Sequence, residues 1–334
     1  MGISPQEDFV SRRSNDRDKP EMSGPSIRPD LVARICWYHF HDGQTQQQVA
    51  ERVGLSRATI NKVINEARRQ GIVRISIDSP AAPCAELEAR LRERFDLRDV
   101  VVVPSPANED DVRHIVGIAT GEYMSKVLRQ DDVLALGWGG TVYAAAQSLS
   151  PRRNTGISVV SLSGGLPRSA IINPYDNAAS FAKILDAQCY YMTAPMYADD
   201  ETTKKALMRS TAIRSVVDKA VNADVALLTT IDLTSHTWII KHGAITREML
   251  KSLVAAGAVG GVCDQYVDAY GRVIDHELNR RTVAVPLSTI RKIPHLVLCA
   301  GGSFKIPIIR AALTAGLAHT LITDERAASG LLAP

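Results

Sequence analysis

Residues 44–78 read QTQQQVAERVGLSRATINKVINEARRQGIVRISID, and this stretch decides the fold of the N-terminal part of the chain. A first amphipathic segment ends at Gly54, and a second one begins after Ser56. Glycine readily adopts the left-handed backbone that ends a helix, and serine is a favourable N-cap. Thr45 and Gln48 have the spacing of a capping box. The stretch therefore predicts two short helices joined by a tight turn.

The second predicted helix has one apolar and one polar face. The residues that recur at helical spacing and should face inward are Ile60, Val63, Ile64 and Ala67. Its outward side chains include groups that can read base edges in the major groove or contact phosphates. This is the pattern of a DNA-binding helix-turn-helix, and the alternation in residues 72–78 predicts a strand that would form a wing. The predicted DNA-binding residues are Thr45, Gln46, Ser56, Arg57, Ala58, Thr59, Asn61, Lys62 and Arg68.

An ordinary amphipathic hairpin with surface arginines is the alternative that the motif alone leaves open. The local charge balance favours DNA, because the basic residues of the segment outnumber the acidic ones: Arg52, Arg57, Lys62, Arg68, Arg69 and Arg74 against Glu51, Glu66 and Asp78. The whole chain has a net charge of only +3, so any DNA affinity must come from a local patch.

Composition narrows the class of protein further. A chain of 334 residues is long enough for two domains, and 45% hydrophobic and 22% charged residues are ordinary for a globular protein. Only 5% of residues are aromatic, which argues against stacking on single-stranded nucleic acid. The five cysteines have no CxxC spacing, and no apolar run reaches the roughly 18 residues of a membrane helix. We expect a cytoplasmic protein with reduced thiols, without a metal, a cofactor or a membrane partner.

From Val100 onward, short β-branched runs alternate with helical segments. This alternation predicts an α/β domain with a doubly wound parallel sheet. The predicted strands are residues 100–103, 133–136, 157–162, 189–192, 224–229, 283–285, 296–300 and 320–323. The predicted helices are residues 111–128, 141–149, 181–187, 204–221, 247–255 and 306–315.

Three glycine-rich loops follow predicted strands, at residues 136–141, 162–165 and 300–305. Ligands of such sheets bind at the carboxyl ends of the strands. Glycines let the backbone approach an anion, and the amides at the start of the next helix can bind it. Lys305 adds a positive charge to the third loop. The three loops together favour a phosphorylated ligand.

The chain from Asp30 to Asp78 resembles the DNA-binding head of SorC/DeoR-type sugar-responsive bacterial transcriptional regulators (the SorC family), above all in the turn Gly54–Arg57. The resemblance continues to Leu332 and leaves out only the first 25 or so residues. It implies an N-terminal winged helix-turn-helix and a C-terminal Rossmann-like domain, similar in fold to sugar-phosphate isomerases and glucosamine-6-phosphate deaminases.

The resemblance also implies a function. In that family a sugar, a polyol or a sugar phosphate bound to the C-terminal domain switches the affinity for double-stranded operator DNA of a carbohydrate or polyol catabolic operon, and the regulators are homodimers or homotetramers. Gly261 stands where the family usually has an acidic residue. From the loops and the resemblance together, the predicted effector-binding residues are Gly137, Trp138, Gly139, Gly140, Thr141, Ser163, Gly164, Gly165, Asp232, Gly301, Gly302 and Lys305.

The expected domain boundaries are a disordered arm at 1–26, the DNA-binding domain at 27–79, a linker helix at 80–98 and the effector domain at 99–334. The apolar stripe of the linker helix, Leu87, Leu91 and Phe95, could pack on a second subunit.

The alternative function is catalysis by a sugar-phosphate isomerase or deaminase. Such an enzyme needs a base near the sugar carbonyl, and Asp232 and His236 are the candidates. The isomerase-like pattern has several carboxylates at this point, whereas here a single carboxylate is followed by Leu-Thr-Ser. We therefore expect a regulator and not an enzyme.

Overall fold

The computed structural model describes residues 27–70, 72–73, 82–167, 173–234, 237–241 and 243–333. The chain forms two compact units, which divide between Asp78 and Ser79. The predicted arm at 1–26 and most of the predicted wing lie outside the described residues.

The first unit is built from three helices, α1 (Pro29–Cys36), α2 (Gln46–Val53) and α3 (Arg57–Arg69). The predicted caps are confirmed: Thr45 and Gln48 form a capping box at the start of α2, and Gly54 ends that helix with φ 69°. The Ser56 hydroxyl accepts a hydrogen bond from the Thr59 amide at 3.1 Å, which starts α3. The sequence therefore determines the turn between α2 and α3 through its capping residues.

A small apolar core holds these helices together. The inward face predicted for α3 is confirmed, because all four of its residues are buried. Ile60, Val63 and Ile64 pack with Ile35 of α1 and Val49 of α2, and Leu55 of the turn packs against the same cluster. Helix α1 ends at Cys36, and the chain continues from Trp37 to His41 as one π-helical turn.

The second unit contains ten strands and twelve helices among the described residues. The strands are β1 (Asp99–Val103), β2 (Val133–Leu136), β3 (Ser158–Ser161), β4 (Gln188–Tyr190), β5 (Val225–Leu228), β6 (Thr230–Ile231), β7 (Gly260–Val262), β8 (Gln265–Val267), β9 (His295–Cys299) and β10 (Thr320–Asp324). The helices are α4 (Ala82–Phe95), α5 (Val112–Val127), α6 (Gly140–Gln147), α7 (Pro174–Leu185), α8 (Glu201–Arg209), α9 (Thr211–Val221), α10 (Trp238–Lys241), α11 (Arg247–Ala255), α12 (Glu277–Arg281), α13 (Leu287–Ile290), α14 (Ile306–Thr314) and α15 (Glu325–Leu332).

Seven strands form one parallel sheet in the order β1-β10-β9-β5-β2-β3-β4, which confirms the predicted doubly wound α/β fold. The chain runs outward from β2 to β3 and β4, and then crosses to β5 on the other side of β2. The loops after β2 and β5 therefore diverge. A ligand crevice is expected at such a switch point of a parallel sheet.

Three details differ from the sequence-based expectations. The predicted strand at 283–285 is reduced to one isolated bridge between Ala284 and Ser163. The predicted helix at 204–221 is divided into α8 and α9, because Ser210 has an extended backbone and caps α9. A second, antiparallel sheet of β6, β7 and β8 was not predicted, because its strands have only two or three residues each.

Helix α4 packs into the core of the second unit. Leu87 and Leu91 are buried beside β1 and α15, and Phe95 packs against the same cluster. The Arg94 guanidinium donates to the carbonyl of Leu332 at 2.7 Å, which fixes the end of the helix. The stripe that we expected to be available to a second subunit is therefore covered by the chain itself.

Replacement of Leu91 by alanine should destabilise the second unit, because the side chain is fully buried. A buried Leu→Ala change costs about 2–5 kcal/mol. We expect a loss of this size in the free energy of unfolding measured in urea. Arg90→Ala changes the exposed neighbour on the same helix and is the control, with an expected cost below about 0.5 kcal/mol. Equal, small effects of the two variants would contradict the packing of α4.

Candidate functional site

A small cavity lies at the switch point, where β2, β5 and β9 end. Its volume of about 50 Å³ holds a few water-sized atoms. It adjoins an outer cleft of about 650 Å³, and the two share Arg113, Asp232 and Thr237. The inner cavity is lined by Arg113, Trp138, Gly139, Gly140, Thr141, Thr229, Thr230, Ile231, Asp232, Thr237, Ile239 and Lys305. Six of the predicted effector-binding residues are in this lining: Trp138, Gly139, Gly140, Thr141, Asp232 and Lys305.

The loop after β2 presents the start of α6 to the cavity. Gly139 has φ 124°, a backbone conformation that favours glycine, and its amide donates to the side chain of Asn177 at 2.8 Å. Helix α6 has no side-chain N-cap, and the first amides of a helix have no intrahelical acceptor. Gly140 and Thr141 therefore offer backbone N–H groups at a helix N-terminus, an arrangement suited to an anion.

Lys305 brings a buried cation to the same place. Its side chain is only 7% exposed, and its ammonium group donates to the carbonyl of Thr230 at 2.8 Å. Burial lowers the pKa of Lys305 to about 8; Asp232 opposes this shift and Arg113 adds to it. A bound anion would favour the charged form of this lysine.

Two groups in the lining differ in how well they are paired. The Asp232 carboxylate accepts from the amide of Thr234 at 3.1 Å and from its hydroxyl at 2.6 Å. The Thr230 hydroxyl is buried and has no hydrogen-bond partner among the described residues. A buried polar atom without a partner costs about 1–3 kcal/mol.

The other predicted glycines serve packing, and the structure does not place them along the cavity. The Gly164 amide donates to the carbonyl of Val283 at 2.9 Å. A Cβ atom at Gly165 would come within 2.4 Å of the Tyr175 ring. The Gly137 amide is likewise bonded to a carbonyl, that of Leu227, at 2.8 Å.

In the third loop, Gly301 and Gly302 also lie outside the cavity lining. The Gly302 amide donates to the buried Asp324 carboxylate at 2.7 Å, and a Cβ atom at Gly301 would meet the same carboxylate at 2.7 Å. The next amide, that of Ser303, donates to Glu109 at 3.3 Å. Carboxylates of the protein thus accept the hydrogen bonds that the amides of this loop could have donated to an anion. Of the third loop, only Lys305 lines the cavity.

The cationic groups that come from outside the glycine loops were not predicted from the sequence. Arg113 lies in the first turn of α5, the helix that follows β1. Lys241 and Arg247 line the outer cleft. A signal for Arg113 was present, because a helix that follows any parallel strand begins at the ligand-binding edge. His236, one of the two candidate bases, lies outside the described residues.

The first unit presents a polar surface on α3. The residues predicted to face outward are exposed, with Thr59 half-buried at the helix start and Gln46 of α2 half-buried beside them. The Gln46 amide donates to the Asn61 side chain at 3.3 Å, and the hydroxyls of Thr45 and Ser56 serve as caps. The cations on α3 that form no ion pair among the described residues are Arg57, Lys62 and Arg68.

A helix-turn-helix head followed by an α/β unit with a buried cationic cavity defines a ligand-responsive, DNA-binding regulator. A family model for a sugar-binding domain, Sugar-bind, matches residues 79–333, and a model for a winged helix-turn-helix DNA-binding domain matches residues 41–74. The chain belongs to the Sugar-bind family and is a transcriptional regulator with a winged helix-turn-helix head.

Curated relatives and solved structures agree with this assignment. The chain is 28% identical over 320 residues to the deoxyribonucleoside regulator of Bacillus subtilis (95% of this chain, 99% of the relative). It is 31% identical over 309 residues to the transcriptional regulator LsrR of Enterobacter sp. strain 638 (91% and 93%). The full-length sorbitol operon regulator SorC from Klebsiella pneumoniae has the same fold, with a TM-score of 0.70 at 22% identity (91% and 99%). The relatives are regulators, so the enzyme alternative is not favoured.

In the described part of the chain, no helix has both the length and the apolar character that a membrane span requires. The same residues contain no cluster of three or more histidine, cysteine, aspartate or glutamate side chains that could hold a metal ion.

Variants at two neighbouring threonines test whether the Thr230 hydroxyl lacks a hydrogen-bond partner. We expect Thr230→Val to leave the stability of the ligand-free protein unchanged or higher, because the lost hydroxyl has no partner. Thr229→Val is the matched control, and it should cost about 1 kcal/mol, because the Thr229 hydroxyl donates to the carbonyl of Trp138 at 2.7 Å. Urea unfolding at neutral pH compares the two variants. An equal loss in both would show that the Thr230 hydroxyl is satisfied in the free protein.

Proposed function

We propose that the chain regulates a carbohydrate or polyol catabolic operon, and that an effector bound in the cavity changes its affinity for double-stranded operator DNA. The observation that carries this proposal is the buried ammonium group of Lys305, which faces the cavity together with the first amides of α6. Both are suited to an anionic group.

The balance of donors and acceptors favours a phosphorylated effector. The inner cavity offers the cations of Lys305 and Arg113 and the amides of Gly140 and Thr141. A phosphate group has only acceptor oxygens at neutral pH and could accept from several of these donors at once. The inner cavity is too small for a sugar, so we assign it the phosphate.

The sugar or polyol part of the effector would then lie in the outer cleft. Asp232 lines both spaces and has acceptor capacity for a hydroxyl group. Two relatives are named for a deoxyribonucleoside and a sorbitol operon, which supports a carbohydrate-derived effector for this chain. An unphosphorylated polyol is the alternative occupant of the same cleft.

On DNA, α3 would act as the recognition helix in the major groove. Arg57 lies at its start, where recognition helices commonly contact bases, and Asn61 follows one turn later. Lys62 and Arg68 are suited to phosphates. Since helix-turn-helix proteins bind paired half-sites as symmetric oligomers, we propose a homodimer or homotetramer that acts in the cytoplasm.

Arg57→Ala should weaken binding to a specific operator by about 1–3 kcal/mol, because one base contact is lost. Arg34→Ala changes an exposed arginine of α1 and is the control. Fluorescence anisotropy with labelled operator DNA at fixed salt measures both. If the two variants bound equally well, Arg57 would have no role in base recognition.

Lys305→Met should abolish stabilisation by a phosphorylated effector, because it removes the buried cation but keeps the length of the side chain. A thermal-shift screen of sugars, polyols and their phosphates identifies the effector, which at about 100 times its Kd adds roughly 2.7 kcal/mol of stability to the wild-type chain. Lys292→Met alters an exposed lysine and should respond like the wild type. A full response in Lys305→Met would exclude Lys305 from the site.

Effector affinity should also depend on pH. Since the pKa of Lys305 is lowered to about 8, the free protein loses this positive charge above that pH, and phosphate affinity should fall as pH rises through 8. The free energy of unfolding of the ligand-free protein changes in the opposite direction. The contribution of Lys305 to it increases between pH 8 and the unfolded pKa of about 10.4, because the unfolded chain binds more protons in this range. Calorimetric titration between pH 7 and 9.5 measures the affinity, and an unchanged Kd would contradict the role of Lys305.

A further inference from the structure

A buried carboxylate, that of Asp264, contacts the loop of residues 137–141 (the effector loop). The indole N–H of Trp138 donates to both oxygens of Asp264, at 3.0 and 2.9 Å, and the hydroxyl of Ser163 hydrogen-bonds to the same carboxylate. Asp264 is fully buried, and no lysine or arginine of the described residues pairs with it. It was not among the residues singled out in the sequence.

The backbone conformation at Asp264 is unfavourable for an aspartate. Cys263 and Asp264 join β7 to β8 in a two-residue turn, with φ values of 45° and 64°. Such turns favour glycine or asparagine, because both central residues are left-handed. Burial of a carboxylate without a counter-charge is a further cost. The hydrogen bonds to Trp138 and Ser163 are the evident compensation.

The Asp264 carboxylate bonds to two loops at the carboxyl end of the parallel sheet. Trp138 belongs to the loop after β2, and Ser163 belongs to the loop after β3. The carbonyl of Trp138 accepts from Thr229 at the end of β5, and the next amide donates to Asn177 of α7. Asp264, Thr229 and Asn177 thus each hold the effector loop through a hydrogen bond. Of these three, only Asp264 bonds to the indole of Trp138.

We propose that Asp264 is a positioning residue for the effector site. It holds the Trp138 indole and thereby keeps the effector loop in the conformation that presents the α6 amides to the ligand. This inference rests on the proposed effector role of the cavity. It also gives Ser163 a function, because Ser163 supports the loop through Asp264 although it does not line the cavity.

The same group makes the loop sensitive to mild acid. Burial raises the pKa of Asp264 to about 6, while Trp138 and Ser163 act in the opposite direction. The titratable groups beside it are Cys263, Tyr197 and Tyr266, and burial raises the pKa of all three, so they stay neutral near pH 6. Since the folded-state pKa of Asp264 exceeds the unfolded value of about 3.9, its contribution to stability falls as pH rises from about 4 to beyond 6.

Asp264→Asn tests the proposal, because it removes the charge and keeps the shape and one acceptor oxygen. We expect inorganic phosphate to bind roughly 3- to 10-fold more weakly to this variant, since a neutral acceptor holds the indole less firmly. Stability at pH 7 should be unchanged or higher, a combination that a merely structural residue would not give. Asp268→Asn, which changes a half-exposed carboxylate in the following turn, is the control.

Trp138→Phe completes a double-mutant cycle. It removes the indole N–H, so the effects of Trp138→Phe and Asp264→Asn on phosphate affinity should not add in the double variant. The difference in fluorescence between wild type and Trp138→Phe isolates the signal of this tryptophan from Trp37 and Trp238. That signal should titrate near pH 6 in the wild type and should not titrate in Asp264→Asn.

The results of these experiments distinguish the proposed effector site from the positioning role of Asp264. A wild-type chain that does not bind inorganic phosphate would refute the assignment of the inner cavity to a phosphate group. A wild-type chain that binds phosphate, with Asp264→Asn equal to it or with additive losses in the double variant, would refute the positioning role alone. Persistence of the tryptophan titration in Asp264→Asn would also refute it, whatever ligand is bound.

Discussion

The order of the parallel strands is the constraint on which the candidate site depends. Because β2 and β5 are neighbours while their connections leave in opposite directions, the loops that follow them separate and open a crevice. The hydrophobic strands that impose this order carry no chemistry themselves. Their effect is to bring the start of α6, the Thr229–Asp232 segment and Lys305 to one point. Any ligand of this unit is expected to meet these groups first.

Charge decides what the crevice can hold. Lys305 is buried and Arg113 is half-buried beside Asp232, and the amides of α6 add partial positive charge. An empty site of this kind is costly, because a buried cation is poorly solvated and a buried hydroxyl at Thr230 has no partner. An anionic ligand would favour the charged form of Lys305 and so offset the first of these costs. Asp264 lies behind this site and holds the loop that completes it.

Much of the fold could be predicted from the sequence, because local signals agree with the final structure. The caps at Thr45, Gly54 and Ser56 determine the helix-turn-helix, and β-branched runs such as residues 100–103 mark strands of the parallel sheet. The antiparallel sheet was missed, because strands as short as β6 have no readable alternation. Such elements exist through tertiary contacts and not through local preference.

The site was predicted less completely than the fold. Glycine loops indicated the edge of the sheet at which the cavity lies, yet glycine has two uses, and sequence alone does not separate them. At Gly139 it allows a left-handed backbone beside the cavity, whereas at Gly164 and Gly165 it allows close packing. Arg113 and Asp264 were missed, because each reaches the site from an element distant in sequence.

The most direct test of the account is a crystal structure of the full chain soaked with tungstate, a phosphate analogue whose anomalous signal locates it without ambiguity. We expect a tungstate ion in the inner cavity, within hydrogen-bond distance of the Lys305 ammonium group and the amides of Gly140 and Thr141. An empty inner cavity, with tungstate bound only elsewhere on the molecule, would contradict it.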